Sequence, residues 1–435
     1  MGAAVRRLVY GLGRSGLGVL GYLQRHAMPA WFYDDHLTPQ DAAKAQALGF
    51  QPDPDPRPGV YSQVIAAPGV PIDHPRLEAL REGGAEVIGE AELVYRHSPT
   101  PLIGITGTAG KTSCTLFTAH LLRTSGIHAA AGGNIDPPLT RVVDEALDPP
   151  GVPGASPRPP EVVAVELSSF QLERVVRFRP RVAVLLMLGV DHLDRHKTLG
   201  AYHKAKLNLI QNLTAEDALV YNAKDPRILA GIAGTPAQLH PFEPADTPRE
   251  TNLRAAEAAT LAYAGLIHWP VSREGVRRAW DTAPTPEGRF EAFARIGDLV
   301  FIDDSIATRI DSVRMALEAA PPPVAWILGG VDKGAPVEEL KPLVAQKVRL
   351  ILAIGQDGPR LANPFRSLSE VVDIPAADGR AALQLAVQES LRRMPSGSVL
   401  LAPLATSFDQ FKDYKERSRV FREVVRQAAP RPGAP

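Results

Sequence analysis

Short apolar runs rich in Val, Ile and Leu alternate along the whole chain with longer stretches of helical spacing. Val5–Tyr10 is the first run, a helix-like segment follows to Arg25, and Ala30–Tyr33, Gln63–Ala67 and Val87–Ile88 continue the series. Runs that are apolar throughout mark strands covered on both faces, as in parallel sheets joined by helical crossovers. The pattern resumes at Pro101–Ile105, after which Leu116, Phe117, Ala119, Leu121 and Leu122 recur at helical spacing up to Gly126, a helix stop. Glu161–Val165, Val182–Leu188 and Asp217–Tyr221 read as further strands, with helices over Leu199–Leu213 and Asn252–Leu266. A third series comprises Leu299–Ile302, Val324–Leu328, Arg349–Ile354 and Val399–Leu401. Strand and helix alternating throughout predict an α/β protein.

A chain of 435 residues exceeds one ordinary core. The three series predict three domains, at 1–97, 98–285 and 286–435. A Pro- and Gly-rich stretch, Asp148–Pro160, reads as an exposed excursion between strands. Hydrophobic residues at 45% and charged residues at 22% are those of a soluble globular protein, and a formal net charge of zero gives no reason to expect nucleic acid as a partner. The single cysteine, Cys114, rules out an intramolecular disulfide framework. Arg6 and Arg7 lead straight into a strand, with no signal-peptide pattern, and no apolar run reaches the roughly 18 residues needed to span a bilayer. A cytoplasmic monomer that uses no membrane is the expectation.

Chemistry enters at Ile103-Gly104-Ile105-Thr106-Gly107-Thr108-Ala109-Gly110-Lys111-Thr112-Ser113, a glycine loop between a strand and a helix. Glycines 107 and 110 let backbone N–H groups approach phosphate oxygens, and the helix start adds its positive dipole. Lys111 can reach the outer phosphates and the Thr112 hydroxyl can hold Mg²⁺. The strict phosphate-loop pattern has glycine five residues before Gly110, where this chain has Ile105, so the loop is a variant.

Gly11-Leu12-Gly13-Arg14-Ser15-Gly16, with Asp34 and Asp35 about 20 residues on, has the spacing of a dinucleotide fingerprint, which alone indicates a dehydrogenase. The first unit ends near residue 97, short for a complete dinucleotide domain, so Gly13, Arg14, Ser15 and Gly16 read as a diphosphate cradle. A turn that merely packs helix on strand is the remaining alternative. Glu166 closes a buried strand in the sheet that carries the phosphate loop, the place for a Mg²⁺ ligand. Asp191-His192-Leu193-Asp194-Arg195-His196 follows the next strand. His192 by itself reads as a solvated loop histidine; its charged neighbours make it a candidate. Lys204 and Lys206 lie on the following helix, two residues and so about 200° apart, so one at most faces that site. Lys333, Thr406 and Ser407 follow strand ends of the third unit and are candidates for a carboxylate.

In order, Gly104 to Thr108 with Gly110-Lys111-Thr112, Gly132-Gly133-Asn134, Glu166-Leu167-Ser168-Ser169-Phe170-Gln171-Leu172, Asp191 to His196, Ala205-Lys206-Leu207 and Ser407-Phe408-Asp409-Gln410-Phe411-Lys412 resemble the motifs of the Mur ligases. Ala66-Ala67-Pro68-Gly69-Val70-Pro71 and the segment Leu328-Gly329-Gly330 to Lys333-Gly334 extend the likeness over essentially the whole chain. The resemblance implies Rossmann-like N- and C-terminal domains flanking a central P-loop ATPase domain. It implies ATP-dependent addition of D-glutamate to UDP-N-acetylmuramoyl-L-alanine through an acyl phosphate, in peptidoglycan precursor synthesis. Lys111, Lys206, His192 and Glu166 would be catalytic. Gly107, Thr108, Gly110, Lys111, Thr112, Ser113, Asn252, Arg289 and Asp304 would serve ATP, and Thr112, Glu166, His192 and a CO₂-derived carbamate on Lys206 two Mg²⁺ ions. Gly13, Arg14, Ser15, Asp34, Asp35 and Asn134 would hold the sugar nucleotide, and Thr308, Lys333, Ser407, Phe408 and Tyr414 D-glutamate.

Five positions depart from the usual family pattern. Ala109, Ala255 and Arg309 stand where Asn is usual, Gly288 where His is, and Ile306 where Lys is. Positions 109, 255 and 288 would ordinarily touch ATP, so a weaker grip on adenosine is expected.

Overall fold

The computed structural model describes residues 5–145, 156–284, 288–332, 334–376 and 378–429. Most of the excursion expected at Asp148–Pro160 lies outside them, as does Lys333. Three sheets account for the strands. The first holds β1 (Arg7–Tyr10), β2 (Ala30–Tyr33), β3 (Gln51–Pro52), β4 (Gln63–Ala66) and β5 (Glu86–Ile88), all parallel, in the order β3-β2-β1-β4-β5. The second holds β6 (Leu102–Thr106), β7 (Ala129–Gly133), β8 (Val162–Glu166), β9 (Val182–Leu185), β10 (Ala218–Asn222) and β11 (Gln238–Phe242), also all parallel, in the order β11-β10-β9-β6-β8-β7. The third holds β12 (Glu291–Ile296), β13 (Asp298–Asp303), β14 (Val324–Gly329), β15 (Val348–Ile354), β16 (Glu370–Asp373) and β17 (Ser396–Leu401), in the order β12-β13-β17-β14-β15-β16. Only its β12–β13 pair is antiparallel.

The chain divides into two compact units: Met1–Ala245 with Glu250–Pro284, and Asp246–Arg249 with Thr285–Pro435. The first unit contains both of the first two sheets. One apolar cluster runs through it, with Val9, Phe32 and Ile65 of the first sheet and Leu102, Val163, Val165, Ala183 and Leu185 of the second. The opposite face of the second sheet packs under the helices Lys111–Thr124 and Pro248–Leu266, through Ile103, Ile105, Val162, Ala164, Phe117 and Ala259. Alternate residues of one strand thus enter two different cores, which is why these runs carry no polar face. The third sheet divides likewise, with Val324, Trp326 and Leu328 on one side and Ala325 and Ile327 on the other.

Several boundaries differ from the sequence expectation for local reasons. Glu166 is the last residue of β8, paired in register with Ile105 and Gly133. The helix expected over Leu199–Leu213 ends at Leu207 and tightens into a 3₁₀ turn, Asn208–Ile210. There Asn208, Gln211 and Asn212 turn to cap carbonyls of Leu172, Val175, Val176 and Phe178. The strand expected over Val182–Leu188 stops at Leu185, and the Leu188 amide donates to Asp225 instead.

Candidate active site

β6 lies between β8 and β9, so the loop that follows it opens between two C-terminal strand ends, where ligands of open parallel sheets bind. Gly110 precedes the Lys111–Thr124 helix with φ +82°, and a Cβ there would stand 2.4 Å from Asn252 Oδ1. Only glycine suits that backbone and that space, so Asn252 is seated directly against the loop. Loop backbone is held from both sides: Thr108 N–H donates to the Met187 carbonyl at 2.9 Å, and the Thr106 hydroxyl to the Leu167 carbonyl at 2.7 Å. The Lys111 ammonium donates to the carbonyls of Gly107 and Thr108 at 3.0 and 3.1 Å, folded back over its own loop. Ser113 is buried one turn in, and burial pushes the neighbouring Cys114 thiol up to about 12, so it carries no nucleophile at neutral pH.

The buried Glu166 carboxylate draws the metal candidates together. The Thr112 hydroxyl donates to one of its oxygens and the Asn134 amide to the other, the latter at 2.8 Å. A carboxylate and a hydroxyl at the rim of a phosphate-type loop are hard oxygen donors suited to Mg²⁺. Among the described residues no group of three or more His, Cys, Asp and Glu could hold a metal ion. Mg²⁺ is ordinarily held by one or two protein carboxylates together with phosphate and water oxygens.

Lys206 is 2% exposed, its Nζ 2.9 Å from the Gly107 carbonyl and 4.7 Å from the centre of the Tyr202 ring, whereas Lys204 is exposed. The helical phase thus places one lysine of the pair at the loop. His192 takes a left-handed conformation, φ +50°, at the start of the Leu193–His196 turn. Its ring packs 4.6 Å from Phe170, and its Nε2 lies 3.4 Å from Asp191.

At the first sheet, Gly11 (φ +91°) and Gly16 are required by space, since a Cβ on Gly16 would stand 1.8 Å from the Gly11 carbonyl oxygen. Asp34 accepts the Leu12 amide at 2.6 Å and the His36 amide at 2.8 Å, so it closes the glycine loop upon itself. Asp35 accepts the hydroxyls of Tyr10 and Tyr33, and the Ser15 hydroxyl donates to Glu90 at 2.7 Å. Arg14 reaches the Asn134 carbonyl at 3.2 Å, joining this loop to the segment that touches Glu166.

The Mur ligase middle domain family matches residues 105–259. The chain is 60% identical over 419 residues to the UDP-N-acetylmuramoylalanine–D-glutamate ligase of Thermus thermophilus, covering 96% of this chain and 97% of that protein. The chain belongs to the Mur ligase family. It is also 42% identical over 443 residues to the Deinococcus radiodurans protein of the same name, covering 97% and 92% of the two chains. Solved structures agree on the fold: MurF of Acinetobacter baumannii superposes with a TM-score of 0.58 at 15% identity, over 97% of this chain and 93% of that one. MurF of Thermotoga maritima in complex with ADP gives 0.53 at 14%, over 81% and 92%. The dehydrogenase reading of the Gly11–Gly16 fingerprint falls with this assignment, and the fold is the α/β architecture of Mur ligases.

Sequence reasoning about this Mur ligase missed Tyr202, whose hydroxyl lies 3.1 Å from Thr108 Oγ1 and whose ring faces Lys206. The signal was available, since Tyr202 is one helical turn before Lys206. Of the departures from the family pattern, Ala255 is fully buried in the apolar cluster beneath the loop helix, a core position. Gly288 has φ +69°, where histidine would be strained, and its Cβ position meets Ser305 and Ser418.

Within the second unit, Asp304 is buried and accepts the Phe290 amide at 3.1 Å. Burial pushes its carboxyl up to about 7 against the opposing pull of that amide and of Arg289. Ser407 is buried at the head of a turn whose amides Gln410 and Phe411 donate to its carbonyl, while Phe408 is 72% exposed. Thr308 lies just before the Ile310–Ala319 helix, and Tyr414 opens the helix Tyr414–Ala428.

Proposed function

We propose that this Mur ligase joins the amine of D-glutamate to the terminal carboxylate of UDP-N-acetylmuramoyl-L-alanine at the expense of ATP, in cytoplasmic peptidoglycan precursor synthesis. The observation that carries this reading is the convergence of Thr112 and Asn134 on the Glu166 carboxylate at the rim of a phosphate loop, in a chain 60% identical to a D-glutamate ligase. Bound Mg²⁺–ATP supplies the phosphoryl group that turns the substrate carboxylate into an acyl phosphate, from which the amine displaces phosphate to leave the amide and ADP.

The chain's own residues bind, orient and balance charge. Gly107, Thr108, Gly110 and Ser113 present the loop to the ATP phosphates, and Lys111 turns from its own carbonyls to the phosphoryl oxygens, where its charge offsets the charge that develops there. Thr112 would serve one Mg²⁺ with the ATP phosphates, and Glu166 and His192 would hold a second, to which a carbamate on Lys206 would add an anionic ligand. Taking up CO₂ would use the amine of Lys206, which is buried against the Gly107 carbonyl. Gly13, Arg14, Ser15, Asp34, Asp35 and Asn134 form the sugar-nucleotide side, Asn252, Arg289 and Asp304 serve the nucleotide, and Thr308, Lys333, Ser407, Phe408 and Tyr414 receive D-glutamate. These roles divide the monomer into domains 1–97, 98–285 and 286–435. Among the described residues no helix is long and apolar enough to cross a membrane, which suits soluble substrates.

The test is phosphate release measured with all three substrates and with each omitted in turn. Release that depends on both D-glutamate and UDP-N-acetylmuramoyl-L-alanine is expected. Steady ATP hydrolysis indifferent to D-glutamate would refute the ligase assignment in favour of a nucleotide switch.

A further inference from the structure

The loop Ala67-Pro68-Gly69-Val70 follows β4, which pairs with β1 where the strand order of the first sheet reverses. It walls the crevice beside the glycine loop: a Cβ on Gly11 would touch Ala67 Cβ at 2.9 Å and Val70 Cγ2 at 3.0 Å. Crevices of this kind receive the ligand in open parallel sheets. This loop is fastened to the second sheet by two arginines. Arg174 donates to the Ala67 and Val70 carbonyls, and Arg195 to the Val70 carbonyl at 3.0 Å and the Gly69 carbonyl at 3.5 Å.

Arg195 differs from Arg174 in what lies behind it. Its guanidinium also donates to Glu173 at 2.8 Å and lies 4.6 Å from the centre of the Phe170 ring, which also packs against the His192 and His196 rings. Glu173 in turn faces His196 Nδ1 at 3.3 Å, and His196 Nε2 stands 3.0 Å from the Ser169 hydroxyl. Carried on the turn that begins at His192, this one side chain therefore touches both the wall of the first-sheet crevice and the turn that follows Glu166.

We infer that Arg195 is a positioning residue that holds the 67–70 loop, and with it the sugar-nucleotide crevice, in register with the segments bearing Glu166 and His192. The inference rests on the ligase reading above, which assigns that crevice its ligand. A planar guanidinium is suited to the task because it can donate to carbonyls in one direction and a carboxylate in another while stacking on a ring. Lysine would keep the charge but not the fork.

The experiment compares wild type with Arg195→Met, which keeps the stem against Phe170 and removes every donor, and with Arg195→Lys. Calorimetry without nucleotide gives the Kd for UDP-N-acetylmuramoyl-L-alanine, a separate titration gives that for ADP, and thermal unfolding gives the Tm. Losing the charge-assisted bonds to the loop is expected to weaken UDP-substrate binding about tenfold in Arg195→Met and about threefold in Arg195→Lys. ADP affinity should stay within about twofold, since the phosphate loop is untouched. UDP-substrate affinity within twofold of wild type in folded Arg195→Met would overturn the inference. So would a parallel loss of UDP-substrate affinity, ADP affinity and Tm, which would make Arg195 a general structural tie. If Arg195→Met does not fold, Arg195→Lys decides by the same three readouts. Wild-type protein that binds the UDP substrate but releases no phosphate would refute the ligase reading while leaving the binding comparison decisive.

Discussion

Replacing Glu166 by Gln separates chemistry from stability at this site. Glu166 accepts two hydrogen bonds, from the Thr112 hydroxyl and the Asn134 amide. Glutamine can satisfy both geometries if its oxygen faces the Asn134 amide and its NH₂ donates to the Thr112 oxygen, since a hydroxyl can accept as well as donate. What disappears is the charge on the acceptor. Two charge-assisted bonds become neutral ones, at a cost of about 1 kcal/mol each. Against this, the variant no longer desolvates an anion that is almost fully buried, a saving of similar sign-opposed size. The expected net change in stability is within about 1 kcal/mol, or a Tm shift of roughly 2–4 °C at most. Activity should respond quite differently. Since Glu166 is the carboxylate that Thr112 and Asn134 converge on, a neutral amide removes the anionic ligand of a hard cation, and kcat should fall about 10³-fold or more. Thermal unfolding and coupled phosphate release on one preparation check both halves. Turnover within tenfold of wild type in a folded Glu166→Gln protein would refute the metal-ligand assignment. A Tm loss above about 10 °C would show instead that the carboxylate is mainly a structural clip between Thr112 and Asn134.

Lys206→Ala should be inactive and partly restored by a short carboxylic acid, while Lys204→Ala stays within about twofold of wild type because Lys204 is exposed and Lys206 is buried on the loop; full activity in folded Lys206→Ala would reject the carbamate role. Gly110→Ala forces a side chain into a left-handed backbone and to within 2.4 Å of Asn252 Oδ1, so nucleotide affinity should drop by at least about tenfold while the protein stays folded; unchanged ADP binding would show that the loop can move aside. Asp304 has a native pKa of about 7 against an ordinary 3.8, so its contribution to stability is fully present below pH 3.8 and is lost as pH rises through 7. Asp304→Asn keeps an acceptor for the Phe290 amide, so relative to wild type it should gain up to about 4 kcal/mol by pH 8, with the gap closing toward pH 4. A stability difference that does not change between pH 4 and pH 8 would show that the carboxyl titrates normally.

By itself the sequence determined the interior strands and the phosphate loop, because both leave local marks. A strand buried on both faces is apolar through its covered stretch, as in Leu8–Tyr10 of β1, Val64–Ala66 of β4, Val162–Val165 of β8, Val182–Leu185 of β9, Leu299–Ile302 of β13, Val324–Leu328 of β14, Leu350–Ile354 of β15 and Val399–Leu401 of β17. The strands that escaped notice, β3, β7, β11, β12 and β16, are all sheet edges. An edge is covered on one side only, so Gln51–Pro52, Gln238–Phe242 and Glu370–Asp373 keep polar or exposed positions, and Ala129–Gly133 is built from alanine and glycine. Helical phase was equally local, and it separated Lys206 from Lys204. Tertiary structure alone decided which distant groups meet. Glu90 and Glu92 look like exposed acids at a helix start, yet both are buried. Glu90 binds Ser15 and Thr140; Glu92 accepts the amides of Val176, Arg177 and Phe178. A buried carboxylate is tolerable only when such donors surround it, and no spacing rule announces donors that lie fifty to eighty-six residues away along the chain. The same holds for Asn134 on Glu166, Tyr202 on Thr108 and Arg195 on Val70, and for the burial of Ala255 in the apolar cluster under the second sheet.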